Sequence, residues 1–410
     1  MKLFEELKWR DSIAQVTDDE LERVLNNDKV TFYLGIDPTA DSMHVGHLFG
    51  LINCRRLQLA GHNPIIVVGG ATGMIGDPSG KSDERNLLTA DEIDANVKAL
   101  SMQIEKLIDA KIVNNYDWTK EYDVITFLRD IGKSFNINNM LAKESVKTRL
   151  ESGISYTEFT YQVLQGLDYL HLFKKYNCTL QVGGTEQWGN IIAGMDLIRK
   201  QVGHEAKVYG LNWPLITKND GTKFGKTAGG AVWLDSEKTT PYEFYQFWIN
   251  TSDADVITYL KRFTFLTKDE ILAIEKEVAE SPHLRLAQKT LAKELTTLVH
   301  SEEAYNDAVR VSEALFAGDI KRLSAKEIEV GFKDVPNIVE EKINIIDALI
   351  KTSLAQSKRE ARQFISSGAV SVNGDKIEDF ETVLSSVTAI EGKFTVIRRG
   401  KKKYAIVKHK

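Results

Sequence analysis

The sequence predicts an α/β protein: a doubly wound parallel-sheet (Rossmann-like) domain, then an α-helical domain, then a small α+β domain. Three observations lead there. A strand, a helix and a second strand follow one another from Val30 and run into a Gly-rich loop, which is a β-α-β unit. Residues 241–316 carry repeated apolar faces at helical spacing, with i, i+3, i+4 recurrence from Leu284 to His300. The last residues alternate short helical and strand-like runs around an Asn373-Gly374 turn.

In order along the chain, Val30 to Ile36 reads as a strand and Val45 to Ala60 as a helix. Pro64 to Val68 reads as a strand that enters the loop Gly69 to Gly80. Cys178 to Val182 and Lys207 to Leu211 are further strand-like runs, so residues 1–235 form the expected parallel-sheet domain, whose ligands belong at the carboxyl ends of the strands. Residues 236–320 are expected to be the helical domain. Residues 321–344 have mixed charge, Gly331, Pro336 and weak periodicity, and read as a linker. In residues 345–410, Ile345 to Ile350 and Ser357 to Ser367 read as helices, Ala369 to Ile377 as a hairpin, and Phe394 to Ile397 with Tyr404 to Val407 as strands.

At 410 residues the chain can build two or three domains with proper cores. Its longest apolar stretches, such as Ile65 to Val68, are too short to span a bilayer, and Met1 to Arg10 is too polar for a secretory signal, so a cytoplasmic protein without a membrane partner is expected. Cys54 and Cys178 match no metal-ligand spacing, and no tightly held metal is expected. The net charge of −5 is unevenly spread: residues 351–410 hold thirteen Lys and Arg against six Asp and Glu, a net +7 that leaves −12 for the rest. A basic terminal module suits a polyanionic partner.

Two segments carry the chemistry. In Asp37-Pro38-Thr39-Ala40-Asp41-Ser42-Met43-His44-Val45-Gly46-His47, a strand gives way to a helix whose first turn bears His44 and His47 on one face. Unpaired N–H groups and the positive end of the helix dipole favour phosphate there, and Gly46 lets a flat base approach the backbone. Far downstream, Lys218-Asn219-Asp220-Gly221-Thr222-Lys223-Phe224-Gly225-Lys226-Thr227 sets two lysines three residues apart among turn residues, suited to neutralising a triphosphate. Gly80-Lys81-Ser82 is not the end of a P-loop, because the earlier glycine would fall at Ile75 and Pro78 interrupts the cradle. Strand alternation puts Tyr33, Gly35 and Asp37 on one face. Tyr161, Gln165 and Asp168 fall at i, i+4 and i+7 of a helix as a polar stripe that reads either as a solvated face or as a pocket wall.

The His-x-Gly-His and Lys-Phe-Gly-Lys-Thr segments resemble the two signatures of class I aminoacyl-tRNA synthetases, the second in the form of the bacterial tyrosine enzymes. Tyr33 to Thr39, Gly73 to Gly80, Gln181 to Gly184 with Gln187 to Asn190, and Arg285 to Gln288 are similar to that family too, and Ser357 to Gly374 resembles an S4-type RNA-binding module.

The resemblance implies activation of tyrosine by ATP, with Mg²⁺ travelling on the nucleotide, and transfer to tRNA by a homodimer. It assigns the ammonium of the substrate to Asp77, Tyr161 and Gln165, and the phenolic hydroxyl to Tyr33 and Asp168. Gln187 orients the reacting groups. Thr39, His44, Lys81, Arg85, Lys223, Lys226 and Thr227 go to the phosphates, His47 to the ribose and Gly46 to adenine. Gly35, Asp37, Gly184 and Glu186 complete the nucleotide site. Lys358, Arg359 and Arg362 on one helix, and Arg398, Arg399 and Lys401 to Lys403 beside a strand pair, suit phosphates of structured RNA. The sequence departs from the family at Glu186, where Asp is common, and at Leu34, Gly50 and Ala228. Two other readings share these features: the tryptophan-activating sister enzyme, and a non-catalytic RNA-binding protein on the same scaffold.

Overall fold

A computed structural model describes residues 1–79, 87–150, 153–217, 224–227, 230–333, 335–400 and 403–410. The chain divides into two compact units, one of residues 1–238 with 251–291, the other of residues 239–250 with 292–410.

The first unit is built on a six-stranded sheet of β1 (Gln15–Val16), β2 (Thr31–Ile36), β3 (Asn63–Val68), β4 (Lys111–Asn114), β5 (Cys178–Gly184) and β6 (Tyr209–Trp213), in the order β1-β6-β5-β2-β3-β4. All neighbours are parallel except β1 on β6. From β2 the chain builds outward through β3 and β4, then returns to lay β5 and β6 on the other side. The order therefore reverses between β2 and β5, the place where such sheets open a crevice at their carboxyl ends.

Four helices pack on the sheet: α1 (Val45–Leu59), α2 (Ala90–Leu107), α3 (Tyr156–Tyr176) and α4 (Trp188–Val202). Tyr33, Ile65 and Val67 on one face of the sheet share a core with Leu167 and Leu170 of α3 and Ile191, Met195 and Ile198 of α4. Phe32, Ile66 and Val68 alternate to the opposite face and are also buried, where α1 and α2 lie against β3. Burial on both faces explains the unbroken apolar run of β3. The helix from 253 to 263 belongs to this unit, because Arg10 and Arg56 donate to the carbonyl of Thr264 at its C-terminal end and Phe49 packs against Phe263.

In the second unit, Pro241–Ile249 packs with Glu302–Ala317, and a five-stranded sheet runs in the order Asp375–Lys376, Val370–Val372, Phe394–Arg399, Lys403–Lys408, Asn337–Val339. The hairpin turns through left-handed Asn373 (φ 51°) and Gly374 (φ 95°), as the Asn-Gly dipeptide predicts.

The expected boundaries differ from this division. The helical stretch 236–320 is shared between the two units, since residues 251–291 pack with the first. The stretch read as a linker, 321–344, holds a helix at Ala325–Gly331 and strands at Asn337–Val339 and Lys342–Asn344. Ile328 and Phe332 are buried in one core with Val311, Phe394, Val396 and Ile406. These elements are too short to show periodicity, yet Ser324 and Glu327 form a capping box whose Ser-x-x-Glu spacing is visible in the sequence.

Candidate active site

A cavity of about 230 Å³ opens at the carboxyl ends of β2 and β5. Of the residues expected there, Tyr33, Gly35, Asp37, Thr39, Gly46, His47, Asp77, Tyr161, Gln165, Asp168, Gly184, Glu186 and Gln187 line it. Lys81, Arg85, Lys223 and Lys402 lie outside the described residues, as do the side chains of Lys226 and Thr227.

His44 is the N-cap of α1. Its Nδ1 accepts from the N–H of Gly46 (3.0 Å), and Nδ1 of His47 accepts from the N–H of His44 (3.2 Å), a reciprocal capping box in which the two rings stack 4.1 Å apart. The two side chains expected at the nucleotide thus cap the helix, and His47 also lines the cavity. A Cβ at Gly46 would lie 2.7 Å from Cε1 of His44, so the glycine is needed for the cap as well as for access.

The segment bearing the second motif meets this turn. Gly225 takes φ +77° and accepts from the N–H of Val232, whose own carbonyl accepts from the N–H of Val45. Phe224 packs on Tyr259 and Phe263, and the backbone of Lys226–Thr227 pairs with Gly230–Ala231. Two motifs far apart in sequence are neighbours at the N-terminus of α1.

The stripe on α3 is a pocket wall. Tyr161 is 5 % exposed and Asp168 3 %, and the Tyr161 hydroxyl donates to Oδ2 of Asp37 (2.8 Å). A ladder of donors joins the two carboxylates. Thr72 donates to Oδ1 of Asp37 (2.7 Å), while Asn115 donates to Thr72 (2.9 Å) and to Oδ2 of Asp168 (3.0 Å). The Trp118 indole N–H donates to Oδ1 of Asp168 (2.9 Å). Gly69 is required beneath it, because a Cβ there would stand 2.3 Å from Oδ1 of Asp37.

Burial pushes the Asp168 carboxyl up to about 7, further raised by Asp37, and the donors Asn115 and Trp118 pull against it. The Tyr33 hydroxyl is buried without a hydrogen-bond partner among the described residues, as are Oε1 of Gln165 and Oε1 of Gln181. Its pKa is raised by burial and then by Asp168. Such orphaned groups in a cavity wall are the mark of a site shaped for a polar ligand.

At the other wall, Asp77 accepts from the N–H of Ser79 (2.8 Å) and from Nε2 of Gln187 (2.7 Å). Glu186 bends back over Gly184, where a Cβ would lie 2.3 Å from its Oε2, and burial raises its pKa. Leu34, Gly50 and Trp213 complete the lining with apolar surface.

Sequence reasoning missed Thr72, Asn115, Trp118, Gln181 and Trp213. Gln181 falls inside a matched segment, but Asn115 and Trp118 follow the short strand β4, which leaves no pattern of its own.

Among the basic residues of the second unit, Lys358, Arg359 and Arg362 are exposed on the helix Lys358–Ser366. Arg399 differs from that expectation: it donates to the carbonyl of Leu354 (2.6 Å), stacks on Phe364 and is half-buried. Arg398 is half-buried beside Gly318. Among the described residues no cluster of three metal-ligating side chains occurs, and no helix is long and apolar enough to cross a membrane.

A doubly wound sheet with a helix N-terminus and a polar cavity at its switch point is the arrangement in which α/β domains bind their ligands. Residues 25–317 match the family model of tRNA synthetases class I (W and Y), and residues 327–407 match the Tyrosine--tRNA ligase SYY-like C-terminal domain. The tyrosine--tRNA ligases of Listeria welshimeri and Geobacillus stearothermophilus are each 54% identical, with 100% of both chains covered. A C-terminally truncated mitochondrial tyrosyl-tRNA synthetase of Aspergillus nidulans superposes with a TM-score of 0.70 at 32% identity, covering 77% of this chain and 94% of that one. The chain belongs to the class I tRNA synthetases of tryptophan and tyrosine, and within them to the tyrosine--tRNA ligases.

Proposed function

We infer that the chain joins L-tyrosine to its tRNA in two steps. The tyrosine carboxylate attacks the α-phosphate of ATP and expels pyrophosphate, and the terminal ribose hydroxyl of the tRNA then attacks the adenylate and releases AMP. The observation that carries the choice of amino acid is the Tyr33–Asp168 end of the cavity, where an orphaned hydroxyl and a buried carboxylate line the same wall. A phenol fills that position with a donor and an acceptor, whereas phenylalanine leaves the Tyr33 hydroxyl unpaired and gives the buried Asp168 carboxylate no donor beyond Asn115 and Trp118.

Asp77, Tyr161 and Gln165 take the ammonium group, and Gln187, already bonded to Asp77, orients the reacting groups. The first turn of α1 meets the nucleotide: Gly46 lies under adenine, and His44 and His47, whose Nδ1 atoms serve the cap, reach phosphate and ribose through Nε2. Gly35, Asp37, Gly184 and Glu186 complete the nucleotide site, with Glu186 at the ribose. Lys81, Arg85, Lys223 and Lys226 neutralise the departing pyrophosphate, Thr39 and Thr227 donate hydrogen bonds to it, and Mg²⁺ arrives with ATP as part of the substrate. No enzyme nucleophile is needed, because positioning and charge stabilisation suffice.

Lys358, Arg359, Arg362 and the Arg398–Lys403 run provide phosphate contacts for tRNA, with Arg399 contributing in addition to its bond to Leu354. A homodimer is the assembly that the resemblance to the family implies. A cytoplasmic location follows from the reaction's partners. Pyrophosphate exchange with each amino acid tests the assignment: tyrosine alone should support it, and exchange with tryptophan but not tyrosine overturns it.

A further inference from the structure

His171 lies one turn beyond Asp168 on α3, outside the cavity lining, yet it is tied to the same indole. Asp168 accepts from the edge of Trp118, and the His171 imidazole lies flat on its face, with ring centroids 4.4 Å apart and planes 11° from parallel. Nε2 of His171 is buried without a hydrogen-bond partner among the described residues. Trp118 is buried in the core, and on one side it lines a groove of about 330 Å³ together with Asp117, Lys175 and Tyr176. Space is therefore open to the ring if the imidazole is withdrawn.

We propose that His171 is a positioning residue for amino-acid discrimination: by stacking on Trp118 it keeps the indole N–H aimed at Asp168, which holds that carboxylate in the geometry that accepts a phenolic hydroxyl. This rests on the tyrosine reading above. Asn115 holds Oδ2 of Asp168 and Trp118 holds Oδ1. With the indole loose, the carboxylate keeps one donor and turns about it. Burial and the neighbouring Lys175 both lower the imidazole pKa, so near neutral pH the uncharged ring is the form that stacks.

Pyrophosphate exchange by the full-length chain, with tyrosine and with phenylalanine, tests it in wild type, His171→Ala and His171→Phe. His171→Ala should raise KM for tyrosine roughly two- to tenfold, the scale of one ring–ring contact, with KM for ATP unchanged and the preference over phenylalanine reduced by the same factor. His171→Phe, which keeps a flat ring, should restore wild-type values. In a Trp118→Phe background, which lacks the N–H, His171→Ala should add nothing further.

An unchanged KM for tyrosine in His171→Ala overturns the proposal, as does an equal rise in KM for ATP, which marks general loosening. Loss in His171→Phe as deep as in His171→Ala overturns it too, because the imidazole would then act by its polarity. Absence of tyrosine-dependent exchange in the wild-type chain is a different result and removes the tyrosine reading itself.

Discussion

Asp168 holds the most unusual charge in the site. It is buried, its two oxygens already accept from Asn115 and Trp118, and its pKa stands at about 7. The ionised form is the stronger acceptor for a phenol, so affinity for tyrosine should fall as pH drops through 7: the expected profile is a KM for tyrosine that rises on the acid side while KM for ATP does not follow. Because the folded-state pKa is raised, the native protein binds this proton more readily than the unfolded chain, and its stabilising contribution is present below about pH 4 and lost as pH rises toward 7. Bound tyrosine should lessen that loss, read as a larger thermal shift on adding tyrosine at pH 8 than at pH 6. Asp168→Asn removes the titration and the charge together. It should flatten the pH profile and reduce the preference for tyrosine over phenylalanine by roughly tenfold or more, measured as the ratio of kcat/KM in exchange. At this scale the Tyr161, Gln165, Asp168 stripe was legible from helical spacing, since i, i+4 and i+7 share a face whatever lies opposite. Whether that face meets water or a cavity depends on β2 and on the residues after β4, and no spacing within α3 contains that.

The first turn of α1 both caps its own helix and faces the cavity through Gly46 and His47. Its N-cap is a histidine pair instead of the commoner Ser, Thr or Asp, and the pair closes only because residue 46 has no side chain. Gly46→Ala should displace the His44 ring, cost about 1 kcal/mol of stability in chemical denaturation, and, on the proposed nucleotide role of that ring, lower the rate of adenylate formation more than that loss accounts for. Rescue of the rate at lower temperature would place the defect in folding alone. The strand β2 does likewise: Tyr33 and Gly35, with Asp37 just beyond its end, reach the cavity, while Phe32 is core. β2, β3 and α1 were legible as elements because each is long enough to show its period. β1 and β4 were not, having two and four residues, and their places at the sheet edges come from pairing with strands distant in sequence.

The two units divide the labour of the whole molecule, with the cavity in the first and the exposed basic helix in the second. Replacing Lys358, Arg359 and Arg362 by Gln should leave pyrophosphate exchange untouched, raise KM for tRNA, and reduce the salt dependence of tRNA binding by up to about one logarithmic slope unit per lost phosphate contact. This is a sharper experiment than deleting residues 345–410. The deletion removes Phe394, Val396 and Ile406 from the core they share with Val311, Ile328 and Phe332, so it strips apolar cover from what remains of the second unit. The expected linker disappeared for that reason: a stretch with weak periodicity became core once a sheet strand from the end of the chain lay against it.

By itself the sequence determined the parallel-sheet class, the adenylate-type motifs, the polar stripe and the basic tail, all of which follow from near-neighbour spacing or local charge. Only the tertiary structure decided that the two motifs meet at one helix end, that Asn115 and Trp118 hold Asp168, and that residues 321–344 are packed. Each of these joins segments far apart in the chain, and such contacts are selected by burial and hydrogen-bond satisfaction across the whole fold, which no local pattern encodes.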